Sequence, residues 1–142
     1  MDIKTAIRAL DAPGCSVAAL LPDGRLVTDD GHSVRPLFRL YEQYGDALAG
    51  AAVADKIIGK AAASVLAAAG VREAFAYLMS ETGLAFLLRS GITASYAELV
   101  PFIENRAGTD LCPMEKTVAD CDDPAACVAR IAEFIRSTPY PG

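Results

Sequence analysis

Apolar positions recur at helical spacing over residues 2–11, where Ile3, Ala6, Ile7 and Leu10 share a face, and Pro13-Gly14 stops the run. Two short apolar runs follow, Ser16 to Leu21 and Arg25 to Thr28. Pro22-Asp23-Gly24 lies between them, an Asp-Gly turn that predicts a hairpin. Val34 to Tyr44 returns to helical spacing, with Pro36 in the first turn, where its missing N–H costs nothing. Leu48 to Ala54 is a short run of small apolar residues that predicts a strand buried on both faces. Ile57 to Ala69 predicts a helix with Ile58, Ala61, Ala62, Val65, Leu66 and Ala69 in one stripe. Its other face is also small, which predicts close packing on all sides. Beyond it come a strand over Glu73–Met79, a helix over Glu81–Ser90 and a strand over Thr93–Leu99 stopped by Pro101. A polar stretch, Asn105 to Cys112, leads to a helix from Pro113 to about Ala119. Asp122-Asp123-Pro124 opens a last helix to about Arg136, and Ser137–Gly142 reads as a frayed tail.

The order is α-β-β-α-β-α-β-α-β-α-α. A hairpin followed by two β-α-β units predicts a mixed five-stranded sheet whose last three strands are parallel. Helices on both faces make it a three-layer α/β/α sandwich, expected as one domain over residues 1–142.

Composition narrows the function classes. The 142 residues carry 13 Lys+Arg and 18 Asp+Glu, a net charge of −5. That balance argues against nucleic acid, which needs a basic surface to neutralise phosphates. No run is apolar and long enough for a membrane span, and the N-terminus lacks an apolar signal core, so a cytoplasmic protein is expected. Cys15, Cys112, Cys121 and Cys127 form no C-x-x-C, and the single histidine, His32, sits apart in a Gly-Ser loop. Cys15, Cys121 and Cys127 read as core.

In a sheet of this kind ligands bind beyond the carboxyl ends of parallel strands, at helix N-termini. Two segments meet that description. In Asp55-Lys56-Ile57-Ile58-Gly59-Lys60, Asp55 is read as a helix cap. Lys56 and Lys60 are read as two cations on one face, set against the helix dipole and suited to an anion. Gly59 is read as a point of close approach by a ligand or another helix. The plainer alternative is a cap with two solvated lysines. In Asn105 to Glu115, Cys112 at a helix N-terminus is a candidate nucleophile or metal ligand. Glu115 is a candidate acid/base or a capping carboxylate. Asn105, Arg106 and Thr109 are candidate ligand contacts. Here the plainer alternative is a structural loop with a half-buried thiol.

The same segments carry a family resemblance. The stretch from Gly50 to Ala63, the stretch Leu99-Val100-Pro101-Phe102-Ile103-Glu104-Asn105-Arg106-Ala107-Gly108-Thr109, the tetrad Cys112-Pro113-Met114-Glu115 and Arg35-Pro36-Leu37 resemble the DUF1893 family of uncharacterised bacterial and archaeal proteins. The likeness runs from about Val17 to Ala126. It implies a cytidine deaminase-like fold, in which zinc enzymes carry H-x-E at one helix start and P-C-x-x-C at the next. Here no His or Cys stands at the first junction, and the second reads Cys-Pro-Met-Glu. A catalytic zinc wants three protein ligands and only Cys112 is in place, so no metal and no cofactor is expected.

Three readings remain open. The first is a metal-free protein that binds a small polar or anionic, nucleotide-like molecule through Lys56, Lys60 and Asn105. The second is a metal-independent enzyme with Cys112 as nucleophile, or Asp55 and Glu115 as acid/base. The third is an interaction protein with a vestigial pocket, forming a homo-oligomer through its apolar helices.

Overall fold

The structure, a computed structural model, describes residues 3–105 and 107–138. Its elements follow the expected order. They are α1 (Ile3–Leu10), β1 (Val17–Leu20), β2 (Leu26–Asp29), α2 (Arg35–Tyr44), β3 (Ala52–Ile58), α3 (Lys60–Ala69), β4 (Glu73–Ser80), α4 (Glu81–Arg89), β5 (Thr93–Val100), α5 (Pro113–Val118) and α6 (Pro124–Ser137). The strand order is β2-β1-β3-β4-β5. β1 runs antiparallel to both β2 and β3, and β3, β4 and β5 run parallel. The hairpin closes through Gly24, at φ +94°, whose amide donates to Leu21 O.

Strand alternation sorts side chains between two cores. Val17, Ala19, Val53, Ala74 and Ala76 face a large core shared with α2 to α6. Ala18 and Ala54, with Phe75 and Tyr77 at the margin, face a small core closed by Ala6 and Leu10 of α1. β3 is buried on both faces over Ala52–Asp55, and its alanines let helices close in from either side. α3 is buried along most of its length and packs against α4, α5 and α6, as its small second face predicts. Each large side chain that reaches full burial here, such as Leu66, Phe86 or Ile131, contributes about 1.5–3 kcal/mol.

Two boundaries differ from expectation, and the first matters for the site. Residues 45–48 form a 3₁₀ turn, and the strand expected over Leu48–Ala54 instead spans Ala52–Ile58. Asp55 pairs with Val17 on one side and Ala76 on the other, while Ile57 and Ile58 pair with Leu78 and Met79. Ladder pairing with β4, with two β-branched residues, outweighs the helical spacing that includes Ile58. The helix starts only at Lys60, after Gly59 in an extended conformation. At the other end, Ser137 belongs to α6 rather than to a tail, and its hydroxyl donates to Glu133 O. Residues 139–142 lie outside the described residues.

Candidate functional site

β3, β4 and β5 end side by side. α3 follows β3 through Gly59, α4 follows β4 directly, and β5 leads into the loop 101–112 and then α5. At this edge a helix N-terminus leaves amide groups without intrahelical partners. α4 meets that need locally, because Ser80 at its N-cap accepts from the Gly83 amide at 2.9 Å. α3 cannot do so, since Gly59 has no side chain. Its cap arrives from α5 instead. Glu115 Oε1 accepts from the Lys60 amide and Oε2 from the Ala61 amide, each at 2.8 Å.

Two glycines make room for this junction. A Cβ on Gly59 would lie 2.4 Å from Glu115 Oε1. A Cβ on Gly83 would lie 2.9 Å from the Gly59 carbonyl carbon. The close approach expected at Gly59 is therefore made by the chain's own Glu115 and by α4. Burial pushes the Glu115 carboxyl above the usual carboxylate range, while the Ala61 and Lys60 amides and the Lys60 ammonium pull it down.

Beside this junction lies a cleft of about 550 Å³. Lys60 and Thr82 border it from the starts of α3 and α4. Phe102 and Glu104 border it from the segment after β5, Thr109 and Asp110 from the loop, and Glu115 and Ala119 from α5. The loop braces itself. Asn105 Nδ2 donates to Thr109 Oγ1 at 3.2 Å, the Thr109 amide donates to Asn105 Oδ1 at 3.0 Å, and Glu104 pairs with Leu111 in a β-bridge. Lys116 holds Asp110 in an ion pair, which keeps that carboxyl below its usual range. Phe102 stays 47% exposed, and the Glu104 carboxylate has no hydrogen-bond or ionic partner among the described residues.

The sequence-predicted residues divide. Lys60, Thr109 and Glu115 border the cleft. Lys60, however, does not offer a free cation: its ammonium donates to Ala119 O at 3.0 Å and pairs with Asp122 at 3.2 Å, tying α3 to the end of α5. Asn105 shapes the loop rather than the cleft wall. Cys112 does hold the N-cap of α5, half-buried, but caps nothing with its side chain and does not line the cleft. Arg106 lies outside the described residues.

Asp55 and Lys56 need correction. Asp55 caps no helix. It is a buried strand residue, and its carboxylate accepts from the Lys56 amide at 2.8 Å. Burial, opposed only by the Lys56 and Ile57 amides, raises its carboxyl to about 7. Lys56 is an exposed strand residue whose amide also reaches Ser16 O on the β1 side, so Lys56 and Lys60 share no helix face. Both differences follow from β3 running on to Ile58, so that α3 starts only at Lys60.

The sequence reading missed Thr82, Phe102, Glu104, Asp110 and Gly83. Gly83, in the first turn of a helix that could have carried alanine, was the available signal. Among the described residues no group of three or more His, Cys, Asp or Glu side chains is placed to hold a metal ion. Cys112 and Glu115 do not converge with a third donor, so these residues do not fit a catalytic zinc.

Two comparisons bear on this chain. Residues 5–135 match the family described as "Domain of unknown function (DUF1893)". The crystal structure of a DUF1893 family protein from Thermotoga maritima superposes with a TM-score of 0.83 at 28% identity. It covers 93% of this chain and 88% of that one. No curated protein matches the chain.

Proposed function

The chain belongs to the DUF1893 family, a domain of unknown function, and from that premise we propose that it is a metal-free binder of a small polar, nucleobase-like molecule. In this reading it is a single cytoplasmic domain of the cytidine deaminase-like fold, with the ligand in the cleft at the carboxyl ends of β3, β4 and β5. The cleft itself carries the reading. It is of small-molecule size, and it stands where open parallel sheets bind ligands.

Its chemistry favours a polar over an anionic ligand. The α3 amides that would take an anion are held by Glu115, and the Lys60 ammonium is engaged by Ala119 and Asp122. What stays open is the Phe102 ring as a stacking surface and the Glu104 carboxylate as an acceptor; the Thr82 and Thr109 hydroxyls each share one hydrogen bond, with Ser80 and Asn105, and keep capacity for a second. A planar ring bearing N–H donors uses all of these.

Turnover is the second reading. One observation favours it: Glu115 borders the cleft with a carboxyl raised by burial. Both its oxygens are occupied by α3, which makes it a clamp, and binding without turnover stands first.

The test is a thermal-shift panel of nucleobases, nucleosides and mononucleotides. Bases or nucleosides are expected to raise Tm, and Phe102→Ala and Glu104→Gln to abolish the rise. A panel with no response, or a response indifferent to both substitutions, contradicts the reading.

A further inference from the structure

β5 is an edge strand, paired only with β4 among the described residues, at seven of the eight positions from Thr93 to Val100, the register passing over Ala97. Edge strands are usually guarded by Pro, Lys or a short length. This one has no Pro and no Lys, and it carries a single charge, Glu98. Six large apolar side chains are exposed among the described residues, and four of them gather along this edge. Tyr96 and Leu99 lie on β5, Leu88 on α4, and Phe102 two residues past the strand. Tyr96 and Leu99 stand level with Ala76 and Met79, members of the core that α3 and α4 cover. The apolar strip therefore continues that core outward.

We propose that β5 pairs antiparallel with β5 of a second copy of this chain about a two-fold axis, joining two five-stranded sheets into one of ten strands. Charge selects this occupant. The edge is nearly neutral on a chain of net charge −5, so a strongly charged partner finds little to read there, and a second copy meets no concentrated repulsion. The pairing is also self-consistent. A dyad centred on Tyr96 sets Glu98 opposite Ala94, and one centred on Ala97 sets it opposite Tyr96. Only a dyad at Glu98 itself brings the two carboxylates together, which like charges on opposed strands disfavour. A two-fold contact uses the same patch on both copies, so the strip of Leu88, Tyr96 and Leu99 covers itself. Phe102 belongs both to this strip and to the cleft, so the second copy stands beside the cleft mouth. The interface does not depend on any ligand.

An eight-residue strand makes a small interface, so association at micromolar concentrations or above is expected. Sedimentation velocity of the whole chain from ~1 µM to ~1 mM tests this range. The mass is expected to rise from 14.9 kDa towards twice that value. Over the same range, hydrogen exchange is expected to slow in Thr93–Val100 and not in β2. Tyr96→Lys combined with Leu99→Lys is expected to hold the chain at one-chain mass, whereas Leu26→Lys, on the opposite edge, leaves the dimer. A wild-type chain that keeps one-chain mass throughout overturns the proposal. So does a dimer whose exchange slows on β2 or the helices while β5 is unchanged. The exchange readout uses the wild-type chain, so it decides the matter even where the double variant fails to fold.

Discussion

Glu115 occupies the space that a side chain at residue 59 would need. Its Oε1 lies 2.4 Å from where a Cβ on Gly59 would stand, and its two oxygens take the Lys60 and Ala61 amides at 2.8 Å. One carboxylate thereby caps the central helix, fixes α5 against it, and withdraws the α3 N-terminus from ligand chemistry.

That relationship predicts coupling. Glu115→Ala is expected to destabilise the fold by about 1–3 kcal/mol, since two helix amides lose a charged acceptor in a buried setting. Gly59→Ala is expected to cost a similar ~1–3 kcal/mol by crowding Glu115, because residue 59 has an ordinary extended backbone that alanine adopts freely. In the Glu115→Ala background the alanine at 59 should cost much less. Denaturant unfolding of the single and double variants reads the difference, and strict additivity would refute the contact.

Gly83→Ala should behave otherwise. Its added Cβ meets the Ile58–Gly59 backbone rather than a movable side chain. Its cost is expected to persist in the Glu115→Ala background, as the same unfolding series would show.

Asp55 predicts a pH dependence. Its carboxyl is raised from an ordinary 3.8 to about 7, so between those values the unfolded chain has released a proton that the folded chain still holds. Stability therefore falls as pH rises from about 4 to about 7, by up to about 4 kcal/mol from this group, and then levels. Asp55→Asn keeps an acceptor for the Lys56 amide and removes the charge. It is expected to flatten that slope and to raise Tm at pH 8, as calorimetry across the range would measure. An unchanged slope would mean that Asp55 stays ionised in the fold.

Lys60→Met is expected to lower stability by roughly 1 kcal/mol, because Ala119 O at the end of α5 loses its donor while the stem keeps its packing. It should leave ligand response intact. A response lost with Lys60 alone would return this cation to the role the sequence suggested for it.

The element order, the mixed sheet and the small-residue character of β3 and α3 were legible because periodicity and turn chemistry point the same way there. The start of α3 was not. Ile58 fits both the helical stripe and a buried strand, and only its pairing with Met79 of β4 decides between them. That one ambiguity moved Asp55 and Lys56 from a helix start to a strand. Gly59 signalled a close approach correctly, but the approaching group is Glu115, which lies 55 positions away from Lys60 and is invisible to local pattern. Phe102 and Glu104 look like ordinary loop residues until the end of β5 turns them towards α3.

The most direct test of the central claim is a native mass spectrum of gently purified protein, taken before any chelator is added. The account predicts the chain with a small organic molecule attached, lost in Phe102→Ala and Glu104→Gln. A mass excess equal to zinc, lost in Cys112→Ser, would contradict it.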